Sequence, residues 1–261
     1  MCRHGRYSDF HYYLTEERNT EAQLKAEKQE VEWKDVFVTL RRNRLYLALS
    51  LHSIIIVFAQ LLNSQTAAYI YADVLGDIGI QSTSAIFSLV LTVLLLLVSP
   101  RLVRVFGSTV RLIRAGLLSS VVLYVALYAV MMTMTVNPYV YMVWSTFAVS
   151  LMMGSVLLQW GLVGESIDYN EEVTGKRNEG TLYGFFSLMR RIGQMLAQSL
   201  VALAIGWIGY DQVAAKAGQA QTQGAIKGLV MINLLLPAIC AIGSYLCFRF
   251  IWLDRDKGPR A

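Results

Sequence analysis

The chain has 261 residues, 55% hydrophobic and only 16% charged, with a formal net charge of +5. Soluble globular domains carry about 25% Asp, Glu, Lys and Arg, whereas here the charges sit in short blocks between long uncharged runs, which excludes a soluble nucleic-acid binder despite the basic balance. Cys2, Cys240 and Cys247 offer neither a disulfide framework nor a metal-ligand spacing, so a stapled secreted domain is excluded as well and a membrane protein is indicated.

Residues 1–44 are polar and hold nine Lys or Arg, so no cleavable signal is expected in them. Residues 15–31 are charged nearly all round, with Glu21 and Lys25 one turn apart, as in a solvated helix or linker. Trp33, Val36, Phe37 and Leu40 then recur at helical spacing beside Lys34, Arg41 and Arg42, the pattern of a short amphipathic helix on the cytoplasmic leaflet. From there on, residues 45–72, 78–100, 115–164, 192–210 and 228–248 contain no Asp, Glu, Lys or Arg. A span needs about 20 mostly apolar residues, and the longest run holds two, divided at the Asn137-Pro138 turn signal.

The expected layout is therefore a cytoplasmic linker (1–44), an all-α six-helix transmembrane bundle (45–250) and a cytoplasmic tail (251–261). The spans are placed at 45–72, 78–100, 112–136, 138–164, 182–210 and 226–250. All Lys and Arg except Lys216 and Lys227 fall at the amino end, at 101–114, at 176–191 or at 249–260. This alternation puts both termini in the cytoplasm of a multi-pass protein of the plasma (inner) membrane.

Catalytic signatures are missing: there is no nucleophile elbow, phosphate-binding glycine loop, zinc pattern or Cys-His cluster, and no cofactor or metal site is expected. His52 is the one intramembrane histidine and reads as a packing or interfacial residue. The first span carries Gln60, Asn63, Ser64, Gln65 and Thr66, which either bond neighbouring helices or line a polar cavity. Tyr139, Tyr141 and Trp144 read as an aromatic belt at the outer interface, and Gln159 and Trp160 at the inner face are weaker candidates for a cavity lining, since the same belt argument applies there. Ser150 with Gly154, and Gly193 with Ala197, are small-residue pairs that let helices approach, and Pro237 predicts a kink.

Glu165, Asp168, Glu171, Glu172, Lys176, Arg177 and Glu179 form the densest ionisable cluster, either a solvated loop or a gate whose ion pairs form in one conformation and release in another. Arg190 and Arg191 follow. If their helix enters the membrane near Thr181 or Leu182, Arg191 lies two to three turns in, where a basic residue costs up to about 2.5 to 3.5 kcal/mol unless it snorkels or faces a cavity. Being adjacent, the two arginines cannot share a helix face.

The stretch Glu165, Asp168, Tyr169, Asn170, Glu171, Thr174, Gly175, Arg177, Glu179, followed by Tyr183, Phe186, Ser187 and Arg191, resembles the glycoside-pentoside-hexuronide:cation symporters, the melibiose carrier family of the major facilitator superfamily. Asn170 stands where that family usually has Gly, and Glu165 where it has Asp. Leu40-Arg41-Arg42-Asn43-Arg44 resembles the linker into the family's seventh helix, and Arg101-Leu102-Val103-Arg104-Val105-Phe106-Gly107 the basic loop after its eighth.

The resemblance implies the carboxy-terminal half of a twelve-helix carrier, built as two inverted three-helix repeats that rock against a partner half. It implies a cavity wall of Tyr183, Phe186, Ser187 and Arg191, beside which Arg190, Gln60 and Asn63 are candidates, and a cytoplasmic gate of Glu165, Asp168, Glu171, Arg177 and Glu179. Arg191 stands where the family often has Lys, which keeps the charge but removes easy deprotonation. The expected solute is a sugar or glycoside, with Na+ or H+ as coupling cation held on an amino-terminal half, since none of the present spans contains a carboxylate. The expected partners are the lipid bilayer, the solute and that half, and no nucleic acid. A non-transporting six-helix scaffold and a self-sufficient homodimeric half-carrier are the alternatives.

Overall fold

The computed structural model describes residues 33–175 and 179–252, and all regular structure among them is helical. Helix α1 is Trp33–Arg42, and α2 is Arg44–Tyr69, prolonged by a π-helical turn at Ile70–Val74. Then come α3 (Gly79–Phe106), α4 (Thr109–Thr133), α5 (Pro138–Thr174), α6 (Glu179–Trp207) and the short α7 (Gln212–Lys216). Helix α8 (Gln223–Val230) passes through a π-helical turn, Met231–Leu235, into α9 (Leu236–Leu246) and a last such turn, Cys247–Ile251. The segment 15–31 and the tail beyond Trp252 lie outside the described residues.

The six uncharged stretches thus appear as six long rods. Five are long and apolar enough to cross a membrane: Arg44–Val74, Gly79–Phe106, Thr109–Thr133, Pro138–Thr174 and Gln223–Ile251. Helix α6 has 29 residues, but Arg190, Arg191, Gln194 and Gln198 interrupt its apolar run. Local chemistry sets the boundaries. The Asn137 side chain accepts from Tyr139 N at 2.9 Å with Pro138 in the first turn, so the turn that splits the longest run is also the cap that starts α5. Gly175, at φ 70°, closes that helix in the left-handed conformation.

Two stretches expected as loops are helical: residues 101–106 belong to α3, which runs to Phe106 rather than ending at 100, and the charged stretch after 164 belongs to α5. The span placed at 138–164 does not give way to a loop, because α5 continues helically to Thr174. The charges at 165–172 mark where the helix leaves the apolar layer, and a helix needs no change of backbone there.

Helices α4 and α5 are antiparallel and tied at successive levels. A Cβ on Gly116 would lie 3.2 Å from Leu151 O, Ser120 Oγ donates to Ala148 O at 2.8 Å, and Trp144 Nε1 donates to Leu123 O at 3.1 Å. Of the Ser150/Gly154 pair, Gly154 serves no close approach, since a methyl group there meets nothing within 4 Å. Gly193 does: its Cβ would lie 2.5 Å from Ile54 O. Helices α2 and α6 run parallel from end to end. Tyr46 donates to Leu182 O at 2.6 Å at one end, Leu62 packs with Val201 and Ile205 midway, and the Tyr69 and Tyr210 rings meet edge-on at 5.1 Å at the other. There Tyr210 donates to Asp73 at 2.7 Å; its burial and then that carboxylate push the phenol above its ordinary pKa, so it stays a donor.

Two polar residues of α2, Asn63 and Thr66, are bound into the bundle. Pro237 has no N–H to give to the carbonyl four residues back, and Asn233 O instead accepts from Asn63 Nδ2 at 3.0 Å. Asn233 Nδ2 returns bonds to Asn63 O at 3.2 Å and Thr66 Oγ1 at 2.8 Å, and its Oδ1 accepts from Tyr141 OH at 2.7 Å. Tyr141 is therefore a buried core residue rather than part of the outer belt, where Tyr139 is exposed. His52 is a packing residue: buried, with Nδ1 2.5 Å from Ser244 Oγ and its ring against Phe248.

Candidate functional site: a polar stripe on α6 and a charged overhang of α5

Helix α6 presents three kinds of surface. Leu182, Phe186, Gly193 and Ala197 are buried, and the close approach at Gly193 turns this side toward α2. Leu188, Met195, Leu196 and Leu203 are exposed and apolar. Between these sides, Tyr183, Ser187 and Arg191 follow one another at four-residue spacing, all exposed, with Gln194 and Gln198 continuing the line. Ser187 Oγ donates to Tyr183 O at 2.9 Å. Exposed polar groups in a line between apolar surfaces make a helix suited to border water on one side and lipid on another.

The structure separates the two arginines. Arg190 is half-buried, its guanidinium 5.3 Å from the centre of the Trp160 ring, which in turn meets Phe186 edge-on at 5.4 Å. This cation–π stack commits Arg190 to packing. Arg191 is exposed on the polar stripe. Because Gly193 abuts Ile54, Arg191 lies level with the third turn of α2, about 12 Å from the Arg44 end at 1.5 Å per residue.

The other cavity candidates fall elsewhere. Phe186 is fully buried under Trp160, behind the stripe rather than on it. Asn63 is buried, with its amide used on Asn233, and Gln60 is half-buried on α2. The amides of the first span therefore serve at Asn63 the first of their two expected uses, bonding a neighbouring helix.

The candidate gate residues Glu165, Asp168 and Glu171 are exposed along the last turns of α5, and Glu179 is exposed in the first turn of α6. Arg177 lies outside the described residues. Carboxylates at a helix C-terminus oppose the helix dipole, so those of α5 do not serve the helix that carries them. On the other side of this overhang Ser166, Ile167 and Asn170 are buried.

Asn43 fixes that side. Fully buried, it accepts from Tyr46 N at 2.9 Å, capping α2, and donates from Nδ2 to Ser166 O at 2.8 Å. One turn later Tyr46 OH reaches Leu182 O. The first turn of α2 thus holds both arms of the charged connector, the end of α5 through Asn43 and the start of α6 through Tyr46. Sequence reasoning missed Asn43 as a site residue, and its cap position before the first uncharged run was the available signal. Asn43→Ala is expected to cost about 2 kcal/mol, from the lost cap and an unsatisfied carbonyl. Thermal melting in detergent checks this, and a melt unchanged from the parent rules out the clamp.

Comparison with known proteins agrees with this architecture. The MFS/sugar transport protein family matches residues 10–255. The chain is 25% identical over 248 residues to the "Uncharacterized symporter YnaJ" of Bacillus subtilis (strain 168), covering 95% of this chain and 51% of that protein. It is 25% identical over 221 residues to the "Putative sulfoquinovose importer" of Escherichia coli (strain K12), covering 85% and 45%. It is 34% identical over 98 residues to the "Glucuronide carrier protein homolog" of the same organism, covering 38% and 20%. The chain spans at most about half the length of these relatives. With an all-helical bundle of apolar rods and a family match over nearly its whole length, the chain belongs to the melibiose-carrier-like MFS/sugar transport protein family of membrane carriers.

Proposed function

We propose that this chain forms the carboxy-terminal six-helix half of a sugar:cation symporter in the plasma membrane, both termini cytoplasmic. The exposed stripe of Tyr183, Ser187 and Arg191 would be its wall of the solute pathway. That stripe, bounded by a packing side and an apolar side, is the observation that carries the reading. Helix α6 becomes the sixth span despite its polarity, because it accompanies the span α2 along its whole length. Its arginine is sustainable at that depth when a polar cavity covers it.

In this reading the bundle rocks against an amino-terminal half, on the same polypeptide or a separate one, with the solute between them near the midplane. The coupling Na+ or H+ binds the other half, since the uncharged stretches of the present spans contribute no carboxylate. The acidic overhang of α5, with Arg177 and Glu179, acts as the cytoplasmic gate. Its side toward the bundle is clamped by Asn43, while Tyr46 holds the start of α6, and its carboxylates are exposed. The named sugars of two relatives, a glucuronide and sulfoquinovose, carry a carboxylate and a sulfonate. A guanidinium binds such groups with two parallel hydrogen bonds, so Arg191 favours an acidic sugar or glycoside as the solute.

Uptake of labelled glucuronide and neutral glycosides into transport-deficient vesicles tests the proposal, with the chain alone and with an amino-terminal half of a related carrier supplied separately. Sodium and proton gradients are varied in each case. Cation-driven uptake is expected only with the added half. Uptake by the chain alone would replace the half-carrier with a homodimer, and no uptake from a co-purified pair of halves would count against transport.

A further inference from the structure

Trp160 on α5 stays 43% exposed although two residues of α6 pack on it. The Arg190 guanidinium lies over the ring at 5.3 Å from its centre, and the buried Phe186 meets it edge-on at 5.4 Å. Phe186 and Arg190 are one turn apart, so the ring lies along α6 with that side occupied and the rest open. Register sets it beside the polar stripe. At about 100° per residue, Arg190 stands about 20° from Tyr183 and about 60° from Ser187 around α6, on the flank of the stripe away from the exposed Leu188 and Leu196. Depth agrees. Asn43 bonds Ser166 O at the start of α2, and Trp160 lies six residues, about 9 Å, further along α5, within one turn of the level of Arg191. Gly184, seven residues before Arg191 and so on its side of α6, has nothing within 4 Å of where a Cβ would stand, so no side chain fills the space in front of the stripe there.

An exposed tryptophan on a membrane helix is ordinarily an interface anchor. Here lipid against the ring would also seal Arg190 from water at a depth where a cation is costly, so the open side of Trp160 belongs to the wet side of α6. A pyranose carries its hydroxyls around the rim and presents C–H groups on its faces, and a flat aromatic surface is the group that matches such a face. We infer that Trp160 is the stacking platform for the sugar ring, beside Arg191, so that the ring lies on the tryptophan and an acid group, where the sugar has one, meets the guanidinium. Arg190 and Phe186 are then positioning residues that hold the platform. The inference rests on the reading of the α6 stripe as the wall of the solute pathway and adds to it the residue that recognises the ring, as distinct from the charge.

Uptake by the full chain paired with an amino-terminal half, with half-saturation measured for a glucuronide and for its neutral glucoside, tests the inference. Trp160→Leu removes the flat face and keeps apolar bulk. It should raise half-saturation for both solutes about tenfold, the weight of roughly 60 Å² of ring face withdrawn from water. The ratio between the two solutes and the maximal rate per folded protein should stay as in the parent. Trp160→Phe, which keeps an aromatic ring for Arg190, should recover most of the loss, and if the leucine variant does not fold it should show the same change in a smaller step. Unchanged half-saturation in folded Trp160→Leu, with Arg191→Ala still weakening the glucuronide, would overturn the platform and leave the stripe standing. If both variants transported like the parent, the stripe reading would fall with it. A lower maximal rate at unchanged half-saturation would also overturn the platform, making Trp160 a packing residue only.

Discussion

Gly193→Val is expected to prevent the bundle from forming. At this position a Cβ would lie 2.5 Å from Ile54 O, 3.2 Å from Ile54 Cα and 3.3 Å from its carbonyl carbon, all backbone atoms of the neighbouring helix. The far end of a flexible side chain yields by changing rotamer; a helix backbone yields only by moving the helix. Overpacking of an ordinary core costs about 1 to 3 kcal/mol, and here the displacement would spread along the α2–α6 seam from Tyr46 to Tyr210. Size-exclusion chromatography and melting in detergent should show loss of the monodisperse species for Gly193→Val. Gly154→Ala, where a methyl meets open space, should melt like the parent. A well-folded Gly193→Val protein would mean that α2 and α6 are not in backbone contact.

That contrast between two glycines shows where sequence reasoning reached its limit. Both pairs, Ser150/Gly154 and Gly193/Ala197, have the same spacing, and spacing says only that a surface is small, not what lies opposite. Helix positions were legible because hydrocarbon excludes charge over a fixed thickness, and the break at Asn137-Pro138 was legible from the turn chemistry of those two residues themselves. The continuation of α5 to Thr174 was not, because a charge ends the apolar layer without ending the helix. The roles of Asn63 and Tyr141 depend on Asn233, 170 and 92 residues distant in the chain. No local pattern announces that Pro237 frees the very carbonyl that Asn63 takes up.

The candidate site divides along the same line. That Arg190 and Arg191 must diverge followed from helical geometry alone. Which of them is absorbed by packing depended on Trp160, a residue read from sequence as a lining candidate or a belt residue, which receives the Arg190 guanidinium. Phe186, grouped with Tyr183 and Ser187 by resemblance, completes that stack from the buried side. The residue-type motif groups residues of one helix and is silent about facing.

The two arginines should therefore fail in different ways when the chain is paired with an amino-terminal half. Arg191→Ala removes a charge that the proposed solute meets directly, and truncating one partner of a desolvated charge pair costs about 2 to 5 kcal/mol, roughly 30-fold or more in half-saturation for an acidic sugar. Arg191→Lys keeps the charge but not the planar fork, and should recover part of that loss. Uptake of a neutral glycoside of the same ring should change far less, since it has no anion to match. Arg190→Ala should instead lower the melting temperature through loss of the Trp160 stack, worth about 0.5 to 2 kcal/mol, and leave the acidic-to-neutral preference in place. Competition uptake with a glucuronide and its neutral glucoside reads this preference in each variant. If Arg190→Ala erased the preference while Arg191→Ala kept it, the stripe would not be the solute-facing side, and the face of α6 that carries Arg190 and Trp160 would take its place.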